Sequence, residues 1–151
     1  MRYFLLAGAL VLGDQALKLW VMQVFALGES RPLIGGVVYL SLVHNTGMAF
    51  GLARSHPGFF VLISSAAITV FSYLLLRSSY RSQSDGWILW GMSLILGGAA
   101  GNLIDRVRFG YVIDFLDLRW WPVFNLADSA ITVGAVLIGI RLFIHERRVR
   151  Q

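Results

Sequence analysis

Apolar residues in this chain fall into four long blocks, separated by shorter polar or mixed stretches. The blocks run roughly Tyr3–Leu27, Phe59–Leu76, Trp87–Leu103 and Phe124–Ile144, each near the ~20 residues that a hydrocarbon core of ~30 Å demands. Four membrane-spanning helices are therefore expected. The connection Arg77–Gly86 (RSSYRSQSDG) is short and polar, a plain loop, whereas Gly28–Gly58 is long and mixed. Within the latter, Gly36–Val43 (GVVYLSLV) is rich in β-branched residues and partly alternates, which predicts a strand. Tyr111–Leu118 reads the same way, so the two pieces can pair into a small sheet on one side of the membrane. Thr46–Arg54 is apolar but too short to span, and suits a short interfacial helix lying on the headgroups. The expected fold class is an α-helical membrane protein: four transmembrane helices, a small extracytoplasmic β-sheet and that interfacial helix, forming one domain over residues 1–151.

Composition agrees that lipid is the solvent: 57% of residues are hydrophobic and the mean hydropathy is +0.69. The first block is not ended by a small-x-small cleavage site, so it reads as a retained helix. Cysteine is absent from the sequence, which excludes disulfides, thiolate metal sites and a thiol nucleophile. The net charge of +5 comes from basic residues scattered or placed beside apolar blocks. That pattern serves topology and anionic headgroups rather than nucleic acid. Arg2, Arg77, Arg81, Arg147, Arg148 and Arg150 fall on one side, against Arg31, Arg54, Arg106, Arg108 and Arg119 on the other. The cluster after the fourth block favours both termini in the cytoplasm, with Tyr111, Trp120 and Trp121 in the outer aromatic belt and Trp87 and Trp90 near the inner one.

In so apolar a chain, polar groups at membrane depth need a reason. Asp14 lies ~18 Å along the first helix at 1.5 Å per residue, in its outer half. Lys18 follows one turn later on the same face. Asn102 and Asp105 close the third block on that side, and Asp128 opens the fourth there. The unusual polar residues of separate helices thus share one depth.

Asp114 and Asp128 carry the candidate chemistry. Two carboxyls held close cannot both ionise easily, so one keeps its proton near neutral pH. The ionised one can take a proton from an attacking water while the other donates to a leaving nitrogen. Spacing alone favours a structural reading: Asn125-x-x-Asp128 resembles a capping box, and Asp114 could be a solvated loop carboxylate. Asp117 is the rival partner, and on a strand it faces away from Asp114, with the inward face left open. Asp14 and Lys18 at i,i+4 suit an ion pair that can also brace the site. Asn45-Thr46-Gly47 reads as a turn, or Asn45 orients a substrate backbone. Gly97 and Gly101 have the spacing of a close helix contact, and Asp105 and Arg106 can pair with each other or brace the following loop. The three histidines lack metal-ligand spacing, no HExxH occurs, and Ser93 has no G-x-S-x-G setting. No metal or cofactor is expected.

Taken together these blocks resemble the lipoprotein signal peptidase family, the type II signal peptidases of bacteria. The resemblance covers nearly the whole chain. It rests on Asp14-Gln15-x-x-Lys18, Asn45-Thr46-Gly47-x-Ala49-Phe50-Gly51, Gly97-Gly98-x-x-Gly101-Asn102-x-x-Asp105-Arg106, Val112-x-Asp114-Phe115 and Phe124-Asn125-x-Ala127-Asp128-Ser129. It implies an aspartic endopeptidase of the bacterial cytoplasmic (inner) membrane that cuts prolipoproteins on the amino side of a diacylglyceryl-cysteine, at the outer face. By the same resemblance Asp114 and Asp128 are the catalytic pair. Asn45, Asn102, Arg106 and Asn125 hold the substrate or a globomycin-type inhibitor, Asp14 and Lys18 support them, and Gly47 and Asp105 belong to the same motifs. The expected partners are lipid-modified prolipoprotein signal peptides and membrane lipids, with no nucleic acid, and the chain is expected as a monomer. A small carrier using Asp14, Lys18 and Asp128 as an ion relay is the competing class. It would want polar groups through the whole membrane depth, and the inner halves of the blocks lack acidic residues.

Overall fold

Each apolar block forms one helix: α1 (Arg2–Val24), α2 (Pro57–Ser79), α3 (Gly86–Phe109) and α4 (Leu126–Val149). These come from a computed structural model that describes residues 1–47, 57–79 and 85–149. All four helices are long and apolar enough to cross a membrane, and the chain is a multi-pass membrane protein. The predicted interfacial helix at Thr46–Arg54 lies, from Met48 onward, outside the described residues.

Helix α3 is the post of the bundle, packing against α1, α2 and α4, whereas α1 and α4 touch each other far less. Small residues allow this. A methyl group added at Gly98 would come within 2.4 Å of the Ala127 carbonyl oxygen, and one at Gly97 within 2.9 Å of the Ala7 carbonyl oxygen. The backbones approach through van der Waals contact where lipid supplies no hydrophobic drive. The end of α3 lies beyond the predicted Leu103, at Phe109. Asn102, Asp105 and Arg106, expected at a helix end, are carried inside the helix. Arg106 and Arg108 sit in the last turn, where cations favour the helix dipole, and Gly110 ends it in the left-handed conformation at φ 79°.

A three-stranded antiparallel sheet stands at one end of the bundle: β1 (Ser30–Ile34), β2 (Val38–Asn45) and β3 (Val112–Asp117), in the order β1-β2-β3. The expected pairing of the two strand-like pieces is found, with Val43 opposite Asp114 and Asn45 opposite Val112. Between Leu40 and Val43 the register shifts, and a bulge of this kind turns the strand and re-aims side chains. Strand β1, which the alternation did not predict, adds the outer edge. After β3 the chain returns so that Phe124 exchanges backbone hydrogen bonds with Leu116, which delivers Asn125 and the start of α4 beside Asp114. A core of Val21, Phe25, Leu42, Ile113 and Phe115 welds the sheet to the end of α1. A second core of Tyr3, Ala7, Leu75, Leu89 and Leu96 closes the opposite end of the bundle.

Candidate active site

The site gathers where α1 and α3 end, α4 begins and β3 crosses them. At its base, Lys18 is buried, and its ammonium meets Asp14 at 2.7 Å, Asp105 at 2.8 Å and the Asn102 side-chain oxygen at 3.2 Å. An ammonium has three protons to donate, and three acceptors receive them. The i,i+4 pair expected of Asp14 and Lys18 is present, and Asp14 does more. Its second oxygen accepts from the Ala127 backbone N–H at 3.0 Å, so a side chain from the first helix caps the last one. Asp105 pairs with Lys18 rather than with Arg106, and accepts from the Ile113 backbone N–H at 3.1 Å, bracing the loop into β3. Gln15 completes this layer, donating to Asp105 at 2.8 Å and to the Gly101 carbonyl at 3.2 Å. Gln15 stood in the sequence motif without a role, and only contacts 86 and 90 residues away supply one.

Above this base, three asparagines are each pinned by an obligate donor. Lys18 can only donate, so the Asn102 atom facing it is the carbonyl oxygen, and the Asn102 amide N–H points to Asp128 at 2.7 Å. The Asn125 oxygen accepts from the Asp128 backbone N–H at 2.8 Å, which turns its amide N–H to Asp114 at 2.7 Å. The Asn45 oxygen accepts from the Gly47 backbone N–H at 2.8 Å, which turns its amide N–H to the other Asp114 oxygen, also at 2.8 Å. Asn45 thus makes the expected turn, and the same side chain reaches Asp114. Gly47 makes the turn possible: its φ is 90°, and a methyl group there would strike the Phe60 ring at 2.4 Å.

Asp114 and Asp128 are linked through these amides, since the Asn125 N–H also reaches the Asn102 oxygen at 3.1 Å. Asn125 caps α4 as the capping box requires, but the Asp128 carboxylate turns to Asn102. Asp114 is fully buried between the sheet and the helices. Burial pushes its carboxyl up to about 7; the Asn45 hydrogen bond opposes this, the charge of Asp128 adds to it, and Asn125 and Lys18 oppose it. Asp117, the other strand carboxylate, has different partners. It accepts from Ser41 at 3.0 Å and from the Arg119 backbone N–H at 2.7 Å, away from the asparagines that meet Asp114. Arg106 reaches out from α3 toward Ser64 of α2, and its guanidinium stacks 5.2 Å from the Phe60 ring centre. It bounds a cavity of about 100 Å³ that Asn45, Thr46, Val61 and Tyr111 also line. The α2 residues Phe60 and Ser64 carried no sequence signal, being an ordinary aromatic and a serine in an apolar run. Among the described residues no group of three or more His, Cys, Asp or Glu side chains could hold a metal ion.

Four spans and an amide-braced pair of carboxylates, Asp114 buried and Asp128 half-buried, suit the class of membrane-embedded aspartic hydrolases. The family model described as signal peptidase (SPase) II matches residues 6–144. The lipoprotein signal peptidase of Halothermothrix orenii is 44% identical over 137 residues, covering 91% of this chain and 92% of its own. That of Moorella thermoacetica is 46% identical over 144 residues, covering 93% of each chain. A solved bacterial membrane enzyme superposes with a TM-score of 0.85 at 31% identity, covering 94% of this chain and 87% of its own. The chain belongs to the signal peptidase II family.

Proposed function

We propose that this chain removes signal peptides from prolipoproteins, cutting on the amino side of a lipid-modified cysteine with Asp114 and Asp128 as the catalytic pair. The observation that carries the reading is the convergence of three oriented amides on these two carboxylates. A water between the two is attacked for its proton by the ionised carboxylate as its oxygen adds to the scissile carbonyl. The protonated partner then gives its proton to the departing nitrogen, so the two carboxyls exchange roles and the proton count balances. Asn102 and Asn125 hold the pair in register. Asn45 and Arg106, on the rim of the small cavity, are placed to meet the substrate backbone or a globomycin-type inhibitor. The sheet end then faces the outside of the cytoplasmic membrane and both termini face inward, in keeping with the basic cluster that follows the last span.

Purified Asp114→Asn and Asp128→Asn variants should each insert, fold and fail to cleave a diacylglyceryl-modified precursor. Turnover at the wild-type rate by both variants would remove the assignment. Cleavage of the unmodified precursor at an equal rate would remove the proposed substrate.

A further inference from the structure

We infer that the tip of the β1–β2 hairpin, with the adjoining Trp120–Trp121 turn, is a second membrane anchor that dips into the lipid interface beside the bundle. From Pro32 to Leu40 only Tyr39 has a polar side-chain atom. At the tip, Leu33 is 53% exposed, Ile34 62% and Val37 61%, while Trp120 is 74% and Trp121 57% exposed. The register brings these pieces to the same end of the sheet, because Pro32 pairs with Tyr39 and Tyr39 with Asp117, just before the tryptophans. A hairpin tip bathed in water is built from polar turn residues, and an exposed apolar edge strand invites aggregation. Here the turn is Gly35-Gly36, both at positive φ, flanked by aliphatic side chains on both sides.

Lipid is the occupant that fits, for two reasons. The exposed apolar surface of α1 runs on toward the hairpin through Trp20, Val24 and Leu27, and Arg31 of β1 donates to the Val24 carbonyl at 3.3 Å. The base of the hairpin thus abuts a surface already facing the bilayer, and the apolar tip extends from that base. Charge then limits the depth. Arg31 lies three residues before Ile34, about 10 Å along a strand. Arg119 lies 3.7 Å from the Tyr39 ring centre and donates to Ser30 at 2.8 Å. These cations sit at headgroup level when the aliphatic tip and the indoles enter the acyl boundary, the placement that aromatic belts favour. Pro32 removes one edge N–H, and at this depth water still reaches the others. The anchor tethers the sheet, and so Asp114 on β3, at a fixed height relative to the bilayer.

The native sequence has no cysteine, so a single Val37→Cys substitution accepts a nitroxide without background labelling. In phosphatidylcholine/phosphatidylglycerol nanodiscs with one protein each, we expect the probe to collide with oxygen several-fold more often than with a water-soluble nickel chelate. A Leu12→Cys probe, on the exposed face of α1, sets the lipid standard. A position-37 probe that meets the chelate as often as oxygen overturns the proposal. Dipolar broadening that grows with the number of proteins per disc overturns it too, by assigning the tip to a second copy. The readout is independent of catalysis, so the anchor and the peptidase reading succeed or fail separately.

Discussion

Asp114 sets burial against charge, and its consequence for stability can be worked out. In the unfolded chain this carboxyl loses its proton near 3.8; in the fold it does so at about 7. Between those values the folded state binds the proton that the unfolded state has released, so stability falls as pH rises. The favourable contribution is complete below 3.8 and is exhausted above 7, and ionising the group in place costs about 4 kcal/mol in all. From about pH 5 to about pH 8 the loss amounts to about 2–3 kcal/mol, most of it below pH 7. Asp114→Asn has no proton to release. It also disturbs the contacts with Asn45 and Asn125, but that cost is the same at every pH. The stability gap between wild type and variant should therefore shift in the variant's favour by about 2–3 kcal/mol over this range. Reversible unfolding in one detergent, followed at matched ionic strength, measures it. A gap that stays constant within about 0.5 kcal/mol would show that Asp114 is not held protonated by burial, and the acid–base pairing would lose its physical basis.

Other outcomes follow from the buried network. Lys18→Met removes the cation that Asp14 and Asp105 share and should cost about 3–5 kcal/mol in thermal unfolding; a loss under about 1 kcal/mol would mean that water reaches the cluster. Gly101→Ala places a methyl group 2.8 Å from the Asp14 carboxylate, whereas Gly8→Ala meets nothing within 4 Å. The first should cost about 1–3 kcal/mol and lower cleavage, and the second should do neither. Asn125→Ala removes the cap of α4, worth about 1 kcal/mol, together with the amide that orients Asp114. Its kcat should therefore fall far more than its stability, and a purely proportional loss would count against an orienting role.

The four spans were legible because a lipid solvent demands long unbroken apolar runs, and nothing else in the chain imitates them. The pairing of β2 with β3 was legible from β-branched alternation. Strand β1 was not, since Pro32 and a turn of two glycines read as loop, and its aliphatic residues do not alternate between a wet and a dry face. The end of α3 was set too early because Asn102, Asp105 and Arg106 look like breakers of an apolar helix. They continue it because Lys18, Ile113, Asp128 and Ser64 satisfy them from other elements. The aspartates and asparagines of the site could be named from their shared depth and motif blocks. Which way each amide faces could not, because a donor distant in the chain, or a turn closed only by folding, decides it. That Asp114 rather than Asp117 meets Asn45 and Asn125 is likewise decided by residues brought in from other elements.

The cap that Asp14 places on Ala127 ties the first span to the last. If Asp114 and Asp128 cut as proposed, a chain threaded into the membrane from its amino end holds only one of the two groups until the final segment arrives. Asp128 is delivered last, and the geometry around it closes only against a residue that has been waiting since the beginning. On that proposal, a copy whose last span has not yet inserted lacks a complete pair to cut with.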